Sequence, residues 1–329
     1  MQGFGRTAGI PLMKAEMTTG MGTKMTTETL NMIVDGRHEL GEGVQWCERS
    51  ARVFWTDIEG ACLHCHDPAT GVDARWPMPE RLANFAFTAN PNLLLIGLAS
   101  RLAWFDLGSG EVTPIMDIEA DLPRTRLNDA RCDRQGRFVF GTMDDGGNDR
   151  TAIGSFYRLN TDLTLERLPL PKVAISNSVC FSPDGATMYF CDTMDKIIYR
   201  WDGYLSGDAS AISVFADVRN EPGSPDGSAI DAEGQLWNAA WGAGRVVRFA
   251  PDGSIERSIT LDASQPSCLC FGGDGFGEMF TTTAWQHMTP AMRAAEPQAA
   301  GLYHAAAGVR GLPEGRFGGL PAGEPHAQA

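Results

Sequence analysis

The chain has 329 residues, of which 43% are hydrophobic and 21% charged, and its net charge is −14 at pH 7. This length and composition are sufficient for a large buried core in a soluble protein, and no apolar stretch is long enough to span a bilayer. The acidic balance, without any cluster of Lys and Arg, excludes nucleic acid and anionic membranes as expected partners.

The ends of the chain differ from its middle in composition. Residues 1–29 are rich in Met, Gly and Thr and lack an apolar run of signal-peptide length, so we predict a disordered extension there. Residues 30–312 are predicted to form one closed domain, and residues 313–329 a flexible tail. We expect a cytoplasmic protein that is a monomer or a weak homodimer.

Six segments of the middle region can be aligned with one another. Each begins with a polar or acidic residue at the point where two hydrophobic strand-like runs start, and these lead residues follow one another at intervals of 41 to 49 positions. That interval is the length of a four-stranded propeller blade. The sequence therefore predicts an all-β fold, a six-bladed β-propeller with four-stranded antiparallel blades. The lead residues are Glu42, Asn84, Asn128, Asn177, Asp226 and Ser267.

Six blades around one axis would direct their lead residues toward a common centre. Two carboxylates and several amides that converge on an axial pocket form an oxygen-rich site for a divalent cation. We therefore predict a central axial metal site, and oxygen ligands admit Ca²⁺, Mg²⁺, Mn²⁺, Fe²⁺ or Zn²⁺. Asn84 and Ser267 are expected to line the pocket without binding the metal.

The string Ser-Pro-Asp-Gly occurs twice, and its two copies are predicted to differ in role. Residues 182–185 lie between two strand-like runs and are predicted to form a hairpin turn at the outside of the molecule. Residues 224–227 precede a strand that already has its own turn at residues 231–234. Asp226 is therefore interpreted as the lead residue of its blade, and Asp184 as a turn residue.

The eight cysteines lie inside strand-like runs, where they resemble small buried apolar residues, and this favours a reducing compartment. Cys62, Cys65 and His66 match the haem-attachment pattern, but that pattern requires a helical haem-binding context. A zinc site on the same two cysteines would require a second cysteine pair at suitable spacing. Neither cofactor is expected.

Several short motifs occur in a fixed order between Gly41 and Val309. They include Leu40-Gly41-Glu42-Gly43, Arg126-Leu127-Asn128-Asp129, Gly141-Thr142-Met143, Ile175-Ser176-Asn177-Ser178, Pro225-Asp226-Gly227 and Gly234-Gln235-Leu236-Trp237. With these motifs the chain resembles the senescence marker protein 30, gluconolactonase and luciferin-regenerating enzyme family. Within that family it is similar to bacterial sugar lactonases of the xylonolactonase and arabinolactonase type.

The resemblance implies one divalent metal at the axis of a six-bladed propeller. The family's metal ligands match Glu42, Asn177 and Asp226, and the last of these also matches its general base. The family's substrate-binding arginine and asparagine match Arg126 and Asn128. An acidic substrate contact that some members carry after the Gly-Thr-Met motif has no clear match here, which leaves the sugar preference open.

The resemblance implies metal-dependent hydrolysis of a sugar lactone to its aldonic acid. A cation bound by two carboxylates and one amide keeps open positions for the lactone carbonyl, and Asp226 is expected to activate water. Two alternatives remain at this point. One is a non-catalytic, regucalcin-like calcium-binding propeller, and the other is a propeller esterase or phosphotriesterase, which would require a histidine pair at the axis.

Overall fold

The computed structural model describes residues 29–321, which form five β-sheets with few and short helices. Four of the sheets are four-stranded and antiparallel, with their strands in chain order. The first contains β2 (Gly41–Cys47), β3 (Arg52–Asp57), β4 (Cys62–Asp67) and β5 (Val72–Pro77). The second contains β6 (Leu82–Phe87), β7 (Leu93–Leu98), β8 (Arg101–Asp106) and β9 (Val112–Asp117). The third contains β10 (Thr125–Cys132), β11 (Phe138–Asp144), β12 (Phe156–Leu159) and β13 (Leu165–Arg167). The fourth contains β14 (Ser176–Phe181), β15 (Met188–Asp192), β16 (Ile197–Trp201) and β17 (Ile212–Asp217).

The fifth sheet has eight strands and consists of two antiparallel halves. One half contains β18 (Ser224–Ile230), β19 (Leu236–Trp241), β20 (Arg245–Phe249) and β21 (Ile255–Leu261). The other contains β22 (Pro266–Gly272), β23 (Glu278–Thr283), β24 (Leu302–Ala306) and the first strand of the described chain, β1 (Thr29–Val34). A short parallel pairing between β1 and β21 joins the halves. This arrangement is consistent with a β-propeller.

Helices contribute little to the described part of the chain. The single α-helix, α1, spans Pro290–Ala295 and begins at Thr289, whose side chain accepts a hydrogen bond from the Met292 N–H. Three short 3₁₀ helices span Gly147–Asp149, Ala209–Ala211 and Asp274–Phe276. Among the residues described, no helix is long and apolar enough to cross a membrane.

Burial decreases from the first strand of each sheet to the last. Every residue of β6 and of β14 is buried, whereas β13 is exposed throughout and β5 nearly so. The first strands also contact one another in a closed cycle, β2–β6–β10–β14–β18–β22–β2. First strands therefore surround the centre of the molecule, where protein covers them on both faces, and last strands form its outside.

Aromatic side chains fill the space between neighbouring sheets. Trp46 stacks on Phe280, with ring centroids 5.5 Å apart, and Trp237 meets Phe271 edge-on at 5.9 Å. In both pairs the two rings belong to different sheets or to different halves of the eight-stranded sheet, so each ring removes apolar area of a neighbour from water. These tryptophans therefore pack sheet against sheet.

The two ends of the chain meet the predictions to different degrees. Residues 1–28 and 322–329 lie outside the described residues, and with them most of the predicted extension and part of the predicted tail. β1, at the start of the described chain, pairs antiparallel with β24 near its end, as expected if these two strands close the ring. Residues 313–321 are packed and do not form a tail: Glu314 forms an ion pair with Arg131, and Phe317 is fully buried and donates its N–H to the Phe87 carbonyl. The prediction of a flexible segment from residue 313 is therefore wrong for the described portion, because an apolar ring and a charge partner anchor it.

Candidate functional site

A cavity of about 260 Å³ opens at one end of the ring of first strands. Its wall contains apolar side chains such as Met143, Trp241 and Met194. Its polar lining includes the five residues that the family resemblance assigns to metal or substrate binding. These are Glu42 from β2, Arg126 and Asn128 from β10, Asn177 from β14 and Asp226 from β18. Residues separated by up to 184 positions thus face one space.

The first strands share a local irregularity that directs these side chains. Each pairs with the second strand of its sheet through a register shift at or beside the lead residue, for example between Glu42 and Gln45 and between Asn177 and Cys180. Such bulges bend a strand and change the direction of a side chain. The residue after two of the lead positions has positive φ, 56° at Gly43 and 60° at Ser178. Backbone strain at Ser178 is typical of positions where geometry serves a site.

A chain of hydrogen bonds fixes the amides of Asn128 and Asn177, which together with Glu42, Arg126 and Asp226 are called the floor of the cavity. The Arg126 Nη1 donates to Asn128 Oδ1 at 2.8 Å, and Asn128 Nδ2 donates to Asn177 Oδ1 at 2.9 Å. Asn177 Nδ2 in turn donates to the Thr193 hydroxyl, which donates to the Pro225 carbonyl. Each amide therefore has one orientation, with the Asn177 carbonyl oxygen keeping a second lone pair for another partner.

The two carboxylates of the floor are poorly compensated. Burial and then the negative charge of Asp129 raise the pKa of Glu42 to about 8, and the opposing effects of the Gly43 N–H and the Arg126 charge do not compensate for them. Burial, followed by the charges of Glu42 and Asp129, raises the pKa of Asp226 well above its ordinary value. In the described part of the chain no side chain donates a hydrogen bond to the Asp226 carboxylate. The backbone carbonyl of Asp226 accepts hydrogen bonds from the side chains of Ser178 and Asn238.

These carboxylates fit a divalent cation. Two buried like charges beside each other are costly unless a positive charge lies between them, and a cation would favour the ionised form of both. Among the described residues, no group of three or more His, Cys, Asp or Glu side chains is arranged to bind a metal. A metal site in this cavity would therefore need the Asn177 amide oxygen as a third donor beside the carboxylates of Glu42 and Asp226.

Two of the six lead residues do not line the cavity. Asn84 donates from Nδ2 to the Asn128 carbonyl, and Ser267 donates from its hydroxyl to the Gly41 carbonyl. Both bind the backbone of a neighbouring first strand and are buried. The expectation that they line the pocket is wrong, because a short side chain that bonds to an adjacent strand is held away from the opening.

The acidic residues at the ends of two second strands, Asp57 in β3 and Asp192 in β15, have a structural role. Asp57 accepts hydrogen bonds from the N–H groups of Leu40 and Gly60, and Asp192 accepts from Ala174 and Ile175. Each carboxylate thereby fixes the chain segment that enters the first strand. The two carboxylates thus help to position the lead residues, although neither Asp57 nor Asp192 lines the cavity.

Sequence reasoning missed several lining residues. Arg150, Gln286 and His287 come from loops between strands, where no periodic pattern marks a position as facing the centre. Asp129 does not line the cavity, but it acts on the pKa of Glu42 and Asp226 and directly follows Asn128 in β10. Its pKa is raised to about 6, chiefly by burial, and its carboxylate accepts from the Val179 N–H at 2.7 Å.

Comparison with known proteins agrees with this architecture. Residues 40–285 match the family model described as the SMP-30/Gluconolactonase/LRE-like region. The chain belongs to this family. It is 47% identical over 294 residues to the L-arabinolactonase of Azospirillum brasilense, an alignment that covers 89% of this chain and 96% of that protein. It is 28% identical to the regucalcin of Xenopus laevis, over 90% of this chain and all of that protein.

A solved structure of the family has a similar fold. The calcium-binding protein regucalcin from Agrobacterium tumefaciens superposes with a TM-score of 0.82 at 29% identity, covering 88% of this chain and 97% of that one. The similarity extends over nearly the whole described region. The family expected from the sequence motifs is therefore confirmed, and this regucalcin has a fold similar to the one seen here.

Proposed function

We propose that this family member is a metal-dependent sugar lactonase that converts an aldonolactone to its aldonic acid. The observation that carries the proposal is the meeting of Glu42, Asn177 and Asp226, from three different first strands, in one cavity beside Arg126 and Asn128. The near full-length similarity to an L-arabinolactonase supports a sugar lactone as substrate. The sequence-based predictions of a cytoplasmic monomer or weak homodimer belong to the same proposal.

The proposed frame is a six-bladed propeller. Its support is the closed cycle of six first strands, together with the division of the eight-stranded sheet into two antiparallel halves. On this interpretation β1 is the outer strand of the last blade, and its parallel contact with β21 is a junction between blades. Because β1 pairs with the last blade, no strand edge is left free at the point where the ring closes.

Glu42, Asn177 and Asp226 would hold the divalent cation, which would be Ca²⁺, Zn²⁺, Fe²⁺, Mn²⁺ or Mg²⁺. When bound, such a cation supplies Lewis acidity that polarises the lactone carbonyl and favours ionised carboxylates around it. Calcium gains support from the calcium-binding regucalcin of similar structure. Oxygen donors alone are compatible with each of the five ions.

Asp226 is proposed as the general base. Its carboxylate would accept a proton from water while the water oxygen forms a bond to the carbonyl carbon, and the proton would pass to the ring oxygen as the ring carbon–oxygen bond breaks. The base must be ionised to act, and burial opposes ionisation, so the neighbouring cation and the base function depend on each other. Arg126 and Asn128 would hold hydroxyl groups of the sugar.

Two other functions remain distinguishable from this one. A regucalcin-like calcium-binding propeller would bind metal at the same residues without turnover, and the 28% identity to a regucalcin supports it. A propeller esterase or phosphotriesterase would require histidines at the axis. Among the described histidines only His287 lines the cavity, whereas His38 is buried and accepts a hydrogen bond from the Trp55 indole. The histidine pair that this class requires is therefore not found among the described residues.

A panel of lactones tests the proposal. The chain would be stripped of metal, reloaded separately with each of the five ions, and assayed with xylono-, arabinono-, galactono- and gluconolactone by the fall in pH. We expect hydrolysis of at least one aldonolactone that disappears on chelation and returns with metal. Metal binding by calorimetry with no turnover of any lactone would favour the non-catalytic alternative instead.

A further inference from the structure

Arg150 lines the cavity from the loop between β11 and β12 and has an incompletely used side chain. Its Nε donates to the Asp144 carbonyl at 3.1 Å. The four N–H donors of its two Nη atoms have no acceptor, and no carboxylate lies within ion-pair distance, among residues 29–321. The side chain is half-buried. A guanidinium that is bound to the protein through Nε, with its Nη donors unused, therefore lines the cavity.

The loop that carries Arg150 is held rigidly. The Asp144 carboxylate is fully buried and accepts from the N–H groups of Gly146 and Thr151, both at 2.8 Å. Arg124 donates from Nη2 to the same carboxylate at 2.8 Å and to the Asp149 carbonyl at 3.1 Å. Because both sides of the loop are attached to one anchor, little order would have to be gained when Arg150 binds a ligand.

Arg126, the other arginine of the cavity, is buried and uses part of its guanidinium to bind the protein. Its Nη1 donates to the Leu127 carbonyl and to Asn128 Oδ1, and its Nε lies 3.5 Å from a carboxylate oxygen of Asp145. Arg150 has no comparable partners in the described chain. The buried Arg126 is therefore partly engaged in positioning Asn128, whereas the more exposed Arg150 has both Nη atoms available for a ligand.

We propose that Arg150 determines specificity by donating from its Nη atoms to an oxygen on the exocyclic substituent of the lactone, the group most remote from the reacting carbonyl. This inference rests on the proposed lactonase function, which holds the carbonyl end at Glu42, Asn177 and Asp226. The two Nη atoms of a guanidinium suit paired lone pairs, so a hydroxymethyl group and a carboxylate share the required chemistry.

Three five-membered lactones separate the possibilities. A tetronolactone has no exocyclic carbon, a pentonolactone carries a hydroxymethyl group, and a pentarolactone carries a carboxylate at the same position. The metal-loaded full chain, Arg150→Met and Arg150→Lys would be compared by kcat/KM on all three. Arg219→Met is the matched control, since Arg219 is exposed, pairs with Asp217 and does not line the cavity.

We expect the ratio of kcat/KM between pentonolactone and tetronolactone to fall roughly 10- to 100-fold in Arg150→Met, the usual effect of losing a charged hydrogen bond. Arg219→Met should keep the wild-type ratio. Arg150→Lys should retain more of the preference for pentarolactone than for pentonolactone, because a point charge replaces charge but not the paired donors.

Equal losses on the tetronolactone and the substituted lactones would overturn the inference, since a structural defect does not depend on the substituent. An unchanged ratio in Arg150→Met, with the wild type active, would also overturn it and leave the proposed function intact. If the wild type hydrolysed neither these three lactones nor any aldonolactone of the first panel with any metal, the proposed function and this inference would both fail.

Discussion

The two Ser-Pro-Asp-Gly strings have the same four residues and opposite environments. Asp184 lies in an exposed turn, where hydrogen bonds from the Ser182 hydroxyl and the Ala186 N–H lower the pKa of its carboxyl. Asp226 lies in the first strand β18 and lines the cavity, where burial and the charge of Glu42 raise its pKa.

The difference shows that a short motif does not determine the chemistry of its aspartate. The exposed turn surrounds Asp184 with donors that stabilise the anion. The first strand places Asp226 beside another carboxylate, away from water and without side-chain donors in the described chain. Asp226 therefore needs a nearby cation in order to be ionised, as expected of a residue that binds a metal and acts as a base.

The largest effect is expected from Asp226→Asn. If Asp226 accepts the proton from water, kcat should fall by about 10²–10⁴-fold, because an amide cannot act as a base. The loss should persist when calorimetry shows full occupancy by metal. Recovery of activity on adding metal would reduce Asp226 to a ligand and leave the base unidentified.

A smaller and recoverable effect is expected from Glu42→Gln. The amide oxygen can still coordinate a hard cation, but it lacks the charge, so metal affinity should fall. We expect metal affinity to fall at least about tenfold, since mutation of residues that only hydrogen-bond to a metal ligand commonly lowers metal affinity 10- to 100-fold. Rate measurements during a metal titration should show activity returning at high metal concentration; a kcat that stays low at saturation would contradict a role limited to binding metal.

The metal-free protein should lose stability as pH rises. The folded-state pKa of Glu42 is about 8 against an ordinary 4.5, so between these values the folded chain holds a proton that the unfolded chain has released. Stability therefore decreases with rising pH through this window, and the raised pKa of Asp226 acts in the same direction. The melting temperature in chelator should be several degrees lower at pH 8 than at pH 6.

Asp226→Asn provides the matched variant for this measurement. The variant lacks the Asp226 carboxyl, whose pKa is raised by burial and by the charge of Glu42, so the metal-free variant should melt higher than the wild type at pH 8 and depend less on pH. Added metal should stabilise the wild type more than the variant. A wild-type melting temperature that is flat across this pH range in chelator would contradict the proposed coupling of the two carboxylates.

The smallest effect is expected from Asp184→Asn. The amide oxygen can still accept the two local hydrogen bonds, and exposed substitutions usually change stability by less than about 0.5 kcal/mol. Activity and melting temperature should match those of the wild type. A loss comparable to that of Asp226→Asn would remove the distinction between the turn and the first strand.

Much of the fold could be predicted because blades repeat locally. Each blade is a run of adjacent strands joined by short turns, so hydrophobic runs and turn residues specify it within about fifty positions. Glu42, Asn128, Asn177 and Asp226 were found as lead residues for that reason, and Arg126 through the family motif. Asn84 and Ser267 occupy the same sequence positions but turn to a neighbouring backbone, a choice that depends on contacts between blades.

The sequence by itself determined the repeat, the all-β class, the family and the residues that start each first strand. Only the tertiary structure decided which lead residues face the cavity, that Arg150 and His287 join them, and that residues 313–321 pack against the ring. The physical reason is range. Strand and turn preferences depend on near neighbours in the chain, whereas burial, charge coupling and cavity shape depend on residues that folding brings together from distant positions.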